Sequence, residues 1–117
     1  MTDLVTILTT GKNTWQEVAK LINTDEWSKI FIITNEFGYN TFNKKENMEF
    51  IVINPDNDLN TISKKIYDSL KNKVYGLDVA LNMISGTGKE HMALLSSLLK
   101  LGLGIRLVSF DNEIVEL

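Results

Sequence analysis

The sequence predicts an α/β protein built on a mostly parallel sheet of about five or six strands. Apolar runs of strand length recur along the chain, segments with helical periodicity separate them, and the connections between the two are short. Strands that alternate with helices in this way pair in parallel through right-handed crossovers. The crossovers leave helices on both faces of the sheet, so we expect a three-layer arrangement.

The first strand is expected at residues 4–8, which are rich in β-branched side chains and end at Thr9-Thr10-Gly11-Lys12. A helix follows, with Asn13 or Thr14 as its N-cap. Its apolar face comprises Trp15, Val18, Leu21 and Ile22. Residues 30–33 form a continuous apolar run, which is typical of a strand covered on both sides.

The second half of the chain repeats this alternation. A buried strand at 50–53 stops at Asn54-Pro55-Asp56, and apolar residues at helical spacing predict a helix over 59–70. The remaining elements are a strand at 77–84, a helix at 90–101, a strand at 105–110 and, after a turn at Asp111-Asn112, a short strand at 114–117. Residues 34–49 show no clear period, so a short helix, a hairpin and a loop all remain open there.

Composition limits the class of protein further. A chain of 117 residues, 44% of them hydrophobic, has the length for one core, so residues 1–117 are expected to form one domain. The net charge of −3 disfavours binding to long nucleic acid. The absence of cysteine and the single histidine exclude thiolate and histidine-rich metal sites, and no cofactor is predicted. Neither a membrane span nor a signal peptide is evident, so we expect a cytoplasmic protein without a membrane partner.

A glycine-containing loop joins the predicted strand at 77–84 to the helix at 90–101. Gly86 and Gly88 can adopt backbone angles that other residues resist, and the first amides of the helix have no partner within it. Because Lys89 adds a positive charge, the loop has the chemistry of an anion-binding site. The alternative is a tight turn that carries a solvated lysine.

The same loop invites comparison with a nucleoside-triphosphate P-loop, G-x-x-x-x-G-K-[ST]. Two positions disagree with that motif, since Met83 stands where the first glycine belongs and Glu90 replaces the hydroxyl that ligates magnesium. A carboxylate at position 90 would also lie next to the phosphates. The sequence therefore does not predict a P-loop.

Strand order indicates where a ligand would bind. In the common order 3-2-1-4-5, the direction of winding reverses between the first and fourth strands, and ligands bind beyond the carboxyl ends of the strands at that point. Those two ends carry Thr9-Thr10-Gly11-Lys12 and Ser85-Gly86-Thr87-Gly88-Lys89, while Asn35 follows the second strand. We predict a phosphate or nucleotide site formed by Thr9, Thr10, Gly11, Lys12, Asn35, Ser85, Gly86, Thr87, Gly88 and Lys89.

The segment 82–93, followed by an apolar helix, resembles the second signature of the CRISPR-associated Rossmann fold (CARF) family. In that family a strand ends in a Ser/Thr-Gly-Gly-Thr-Lys-like loop, and a long hydrophobic helix follows. Thr9-Thr10-Gly11 is similar to the family's other ligand-binding loop. The resemblance implies a Rossmann-like domain in antiviral defence that forms a homodimer, binds cyclic oligoadenylate across the two-fold axis and, in some members, cleaves that ring. Members of the family usually control an appended effector domain, for which 117 residues leave no room, so we expect a stand-alone form.

For cleavage, the residues suit a metal-independent ring nuclease, in which a ribose 2′-hydroxyl of the ligand attacks the neighbouring phosphate. Lys89, with the amides of residues 86–88, would stabilise the added charge. Thr10 and Ser85, together with Thr9, would orient the phosphate or ribose. The same set would serve binding without cleavage, so the sequence leaves turnover open.

The helix at 90–101 is apolar on nearly every side, which indicates a second partner in addition to the sheet. We expect a homodimer through this helix, and the alternative is a central helix between neighbours in one protomer. A second hypothesis of a different class is a non-catalytic Rossmann-like regulatory subunit that binds a mononucleotide or a protein partner.

Overall fold

The computed structural model describes residues 2–9, 12–24, 26–74 and 76–117, with the side chains of Lys12 and Asn13 excepted. Within these ranges, strands and helices alternate as the sequence predicts, and the α/β class is confirmed. In chain order the elements are β1 (Thr2–Leu8), α1 (Lys12–Ile22), β2 (Trp27–Thr34), α2 (Glu36–Thr41), β3 (Met48–Val52), α3 (Leu59–Leu70), β4 (Asp78–Asn82), α4 (Gly88–Lys100), β5 (Gly104–Asp111) and β6 (Glu113–Glu116).

The strands form one sheet of order β3-β2-β1-β4-β5-β6, which contains the common 3-2-1-4-5 order on which the expected ligand position depends. Every pairing is parallel except that of β5 with β6, a hairpin that turns through Asn112 with a φ of 62°. The register aligns Thr6 of β1 with Asn82 of β4. The carboxyl ends of these two strands therefore lie side by side, where the winding direction reverses.

Successive residues of the central strands enter two different hydrophobic clusters, because side chains of a strand point alternately to opposite faces. In β1, Val5 and Ile7 pack with residues of α3 and α4, whereas Leu4 and Leu8 pack with residues of α1. In β2, Phe31 belongs to the first cluster and its neighbours to the second. This double burial explains why the strands read as continuous apolar runs.

Helix α1 places its apolar face as predicted, since Val18 and Leu21 are fully buried. The predicted N-cap is wrong, because the helix begins at Lys12 and Asn13 and Thr14 lie within it. After α1, the Trp27 indole N–H donates to the Leu21 carbonyl at 2.8 Å and fixes the connection to β2.

The segment 34–49, left open by the sequence, contains the short helix α2. Asn35 is its N-cap, and the side chain accepts a hydrogen bond from the Gly38 amide at 2.9 Å. Gly38 is buried so closely against Thr34 that a Cβ atom would lie 2.0 Å from the Thr34 hydroxyl oxygen. Helix α2 has no apolar periodicity in its sequence, so the Asn35 cap and the close contact of Gly38 with Thr34 are what position it.

Strand β4 is shorter than predicted and α4 begins earlier. The buried Asn82 side chain donates to the Val108 carbonyl at 2.9 Å and accepts from the Ile84 amide at 3.2 Å, so it turns the chain out of the sheet after β4. Thr87 caps α4, and the helix consequently begins at Gly88 rather than at residue 90. Helix α3 has the predicted bounds.

Candidate functional site

The loops that follow β1 and β4 are in direct contact. The backbone amide of Thr9 donates a hydrogen bond to the Ser85 hydroxyl oxygen at 3.2 Å, although 76 residues separate the two. Both residues are buried. The contact confirms that the two predicted loops meet at the reversal point of the sheet.

Glu90 binds these loops to the start of α4. Its carboxylate accepts hydrogen bonds from the Thr9 hydroxyl at 2.6 Å and from the Thr87 amide at 2.9 Å, through the same oxygen Oε1. Glu90 is only 1% exposed, so both hydrogen bonds form in a region of low dielectric. By accepting both hydrogen bonds, the Glu90 side chain fixes the spacing between the two loops.

In the sequence, Glu90 stands out only as a departure from the P-loop motif, so its role in joining the loops was not predicted. The available signal was the spacing Thr87-x-x-Glu90, which is that of a capping box. The capping box is present, with the Glu90 amide donating to the Thr87 hydroxyl at 3.2 Å. The bond to Thr9 carries no local signal, because it joins residues that are distant in the sequence.

The two glycines of the loop after β4 have different roles. Gly86 has a φ of 108°, and a Cβ atom there would lie 3.0 Å from Ile7 Cγ2 and 3.2 Å from Glu90 Oε1. Gly86 therefore serves both an unusual backbone angle and close packing over β1. Gly88, the first residue of α4, has open space where a Cβ atom would stand, so its surface is accessible to a ligand.

The start of α4 presents open hydrogen-bond donors. In the part of the chain that the structure describes, no acceptor bonds the backbone amides of Gly88 or Lys89. The Lys89 side chain is exposed, and its ammonium group donates to the Pro55 carbonyl at 3.2 Å. An ammonium has three N–H groups, so Lys89 keeps donors for an anion while it contacts the loop before α3.

The loop before α3 carries an ionised partner for this charge. The pKa of Asp58 is lowered by hydrogen bonds from the Thr61 side chain and backbone, with a further contribution from the positive charge of Lys89 and partial desolvation acting in the opposite direction. Asp58 is also the N-cap of α3 and accepts from the Thr61 amide at 2.8 Å. The field at Lys89 thus includes one nearby carboxylate.

His91 lies in the first turn of α4 and is partly buried. Its Nε2 atom is 3.0 Å from the Ser85 carbonyl oxygen, so this nitrogen carries the proton and donates to Ser85. Together with the Thr9 amide on its hydroxyl, Ser85 is held by contacts to both neighbouring elements. His91 thereby stabilises the loop rather than facing open solvent.

Of the remaining predicted site residues, Asn35 lies at the carboxyl end of β2, where it caps α2. Lys12 is the first residue of α1, and the structure describes only its backbone. Thr10 and Gly11 lie outside the described residues. The predicted site residues thus fall into three groups. Those in the loops after β1 and β4 that the structure describes lie close together, Asn35 lies beyond β2, and the roles of the rest stay predictions.

The outward side of α4 is apolar. Met92 is 63% exposed and Leu99 68% exposed, whereas Ala93, Leu94 and Leu98 are buried against the sheet and α3. Leu107 of β5 is also exposed and, being paired with buried Leu81 of the first cluster, lies on the same face of the sheet as α4. Exposed apolar side chains of α4 and β5 therefore lie on one face of the sheet, and we call this set the apolar patch.

No known family model matches the chain, and no curated protein matches it. Among the described residues, no helix combines the length and the apolar character that crossing a membrane would require.

Proposed function

We propose that this chain is a CARF-like receptor for a cyclic oligoadenylate, which it binds as a homodimer. The observation that carries the proposal is the contact of the β1 and β4 loops beside the open amides of α4, joined by the Thr9–Ser85 and Thr9–Glu90 hydrogen bonds. Thr9 of the first loop and Ser85 of the second therefore lie beside the glycine-containing start of α4, which carries Lys89. An anion is the ligand class that such groups favour.

The proposed architecture is Rossmann-like, with three layers. It is supported by the two hydrophobic clusters, since strand residues of one cluster pack with α3 and α4 and strand residues of the other pack with α1. Nucleotides bind such sheets beyond the carboxyl ends of the strands at the reversal of winding. In this chain that position lies between β1 and β4.

The chemistry of the proposed site follows from its donors. A phosphate oxygen would accept from the amides of Gly88 and Lys89, which are directed outward at the positive end of the α4 dipole. The Lys89 ammonium would add a charge-assisted hydrogen bond. The Glu90 carboxylate occupies none of these donors, because its oxygen Oε1 accepts from the Thr9 hydroxyl and the Thr87 amide inside the protein, and these two donors offset part of its negative charge.

The exposed apolar patch supports the homodimer part of the proposal. Exposed Met92, Leu99 and Leu107 are side chains that a second copy could bury. A two-fold axis through α4 would present two copies of the Lys89 loop to one ligand. A ring of repeated nucleotides has the matching property, since it offers chemically equivalent phosphates.

Cleavage of the ring would require two things of the protein, which are to position the reacting groups and to stabilise the charge on the phosphate. The ribose 2′-oxygen of the ligand would form a bond to the adjacent phosphorus while the bond to the 5′-oxygen breaks, and the 2′-proton would leave as the 5′-oxygen gains one. The products would be a 2′,3′-cyclic phosphate and a 5′-hydroxyl. Lys89 would stabilise the charge on the phosphate oxygens. The predicted roles of Thr10 and Ser85 are to hold the attacking geometry.

The deciding experiment is incubation of the purified protein with cyclic tetra-adenylate and cyclic hexa-adenylate in EDTA, followed by mass spectrometry of the intact complex and of the products. One uncut ring per dimer would identify a receptor, and a linear product with a 2′,3′-cyclic phosphate would identify a ring nuclease. If neither ring binds at micromolar concentration, the proposal is wrong.

Matched variants test the two parts of the proposal separately. Lys89→Ala should weaken ring binding by roughly tenfold or more, because a hydrogen bond to a charged group is lost. Lys100→Ala, at the exposed far end of α4, should leave binding unchanged. Leu99→Glu should shift the dimer toward monomer in analytical ultracentrifugation, whereas Tyr39→Glu, which alters a residue packed on Phe50 of the other cluster, should not.

One observation favours the second candidate function, a non-catalytic regulatory subunit. The Thr9 hydroxyl already donates to Glu90, and the Ser85 hydroxyl oxygen already accepts from Thr9, so neither group requires a ligand to satisfy it. In that case the apolar patch on α4 would bind a different protein. Such a subunit would be a monomer in isolation, would form a one-to-one complex with a partner protein, and would bind neither cyclic tetra-adenylate nor cyclic hexa-adenylate.

A further inference from the structure

A groove of about 510 Å³ lies beyond the carboxyl ends of β2 and β3, beside the proposed anion site. Asn35 and Phe37 line it from the start of α2, and Val52, Asn54 and Pro55 line it from the end of β3. Its size is within the range of small-molecule pockets in proteins.

The walls of this groove are partly apolar and accessible. Phe37 is 58% exposed and Val52 37% exposed, so both present apolar surface to the groove or to solvent. The Phe37 ring is not loose, because it packs against Trp15 with 5.9 Å between the ring centroids. A held aromatic ring with an accessible surface is a platform on which a planar group can stack.

Two side-chain amides add directional polar groups. The Asn35 oxygen Oδ1 accepts from the Gly38 amide at 2.9 Å, and the Asn54 oxygen Oδ1 accepts from the Asp56 amide at 3.0 Å. These bonds orient the two side chains. Across the described residues, no acceptor bonds the Nδ2 group of Asn35 or Asn54, so each keeps its donors for a ligand.

One residue connects the groove with the positive charge of the proposed site. Pro55 lines the groove, and its carbonyl accepts from the Lys89 ammonium at 3.2 Å. The Lys89 ammonium therefore contacts a residue of the groove wall, although Lys89 is not itself part of the lining. Glu36 also lines the groove, and its carboxylate would repel a phosphate placed there while leaving a neutral group unaffected.

We propose that this groove is a nucleobase subsite, in which a purine stacks on Phe37 while its phosphate lies toward Lys89. The assignment deepens the proposed nucleotide-binding function and rests on it. The Nδ2 groups of Asn35 and Asn54 donate to ring nitrogens of the purine, which are acceptors. Phe37 and Val52 supply the apolar contact, and Glu36 excludes a second phosphate from the groove.

The first test uses fragments and does not require ring binding. Adenosine 5′-monophosphate and ribose 5-phosphate are titrated separately into isotope-labelled protein, and the side-chain amide signals of Asn35 and Asn54 and the methyl signals of Val52 are followed by NMR. The nucleotide should shift these signals in a saturable manner, and ribose 5-phosphate should leave them in place. Equal shifts with both compounds, or no shift with either, would overturn the subsite.

The second test measures affinity for cyclic tetra-adenylate in two neighbouring variants. Phe37→Ala should weaken binding by roughly tenfold, since stacking on one aromatic ring has that magnitude. Tyr39→Ala is the matched control, because Tyr39 is 51% exposed on the same helix and lies outside the groove lining. Phe37→Leu keeps apolar packing on Trp15 and should also weaken binding, which separates stacking from folding.

The outcomes distinguish the subsite from the function on which it rests. If the wild-type protein binds the ring and both Phe37 variants bind it equally well, the subsite is wrong and the proposed function stands. If the wild-type protein binds neither ring, the proposed function is wrong, and the fragment titration alone decides whether the groove seats a purine.

Discussion

Replacement of Glu90 by alanine should destabilise the protein more than its position near the end of a helix suggests. The change removes acceptors from the Thr9 hydroxyl at 2.6 Å and from the Thr87 amide at 2.9 Å. Each hydrogen bond to a buried charged group contributes about 1.5–3 kcal/mol, and relief of the carboxylate's desolvation offsets part of the loss. We expect the free energy of unfolding to fall by about 3 kcal/mol.

The assay is equilibrium unfolding in urea, followed by circular dichroism, with thermal unfolding as a second measurement. For a chain of this length, the expected loss corresponds to a decrease in Tm of roughly 10–15 °C. Glu90→Gln keeps an oxygen acceptor for both donors, so it should lose only about 1 kcal/mol. Glu46→Ala, which changes an exposed carboxylate, should stay within about 0.5 kcal/mol of the wild type.

Two results would refute this reasoning. If the Glu90→Ala variant were as stable as the Glu46→Ala control, the Glu90 hydrogen bonds between the β1 and β4 loops would not stabilise the fold. A glutamine variant as unstable as the alanine variant would mean that the negative charge, rather than the acceptor oxygen, is the stabilising feature.

Four further substitutions have expected outcomes. Gly86→Ala should lower the free energy of unfolding by about 1–3 kcal/mol, because Gly86 has a positive φ and close contacts at its Cβ position. Gly88→Ala should leave the free energy of unfolding unchanged or raise it by up to about 1 kcal/mol, because the Cβ position of Gly88 is open. Chemical denaturation compares the two variants. Leu98→Ala, at a fully buried core position, should cost about 2–5 kcal/mol in the same assay, and a smaller loss would mean that α4 packs loosely. The pKa of Asp58 lies below its ordinary 3.8 because Thr61 hydrogen-bonds to the ionised form, so its stabilisation is present above pH 3.8 and is lost as the pH falls through the lowered pKa. In a pH series of Tm values, Asp58→Asn should therefore show a shallower loss in acid than the wild type, and identical slopes would contradict that account.

Part of the candidate site could be predicted from the sequence, because its position in the fold depends on strand order. Apolar runs predicted the strands, and the common order 3-2-1-4-5, taken as a condition, placed the ends of the first and fourth strands side by side. The Thr9 and Ser85 loops therefore meet as expected. The contact between Thr9 and Glu90 was not predictable, because no local pattern pairs two residues that are 81 positions apart.

By itself, the sequence determined the α/β class and the bounds of α3, because burial on both faces and helical periodicity leave patterns within short windows. The strand order was taken from the common topology, and the tertiary structure decided it. Tertiary structure alone decided the elements and contacts without such a pattern. Helix α2 exists because Asn35 caps it and Gly38 fits against Thr34, and Glu90 joins two loops because the sheet brings β1 beside β4. The groove beside Lys89 likewise arises where the ends of β2 and β3 meet, since nonlocal contacts bring its walls together.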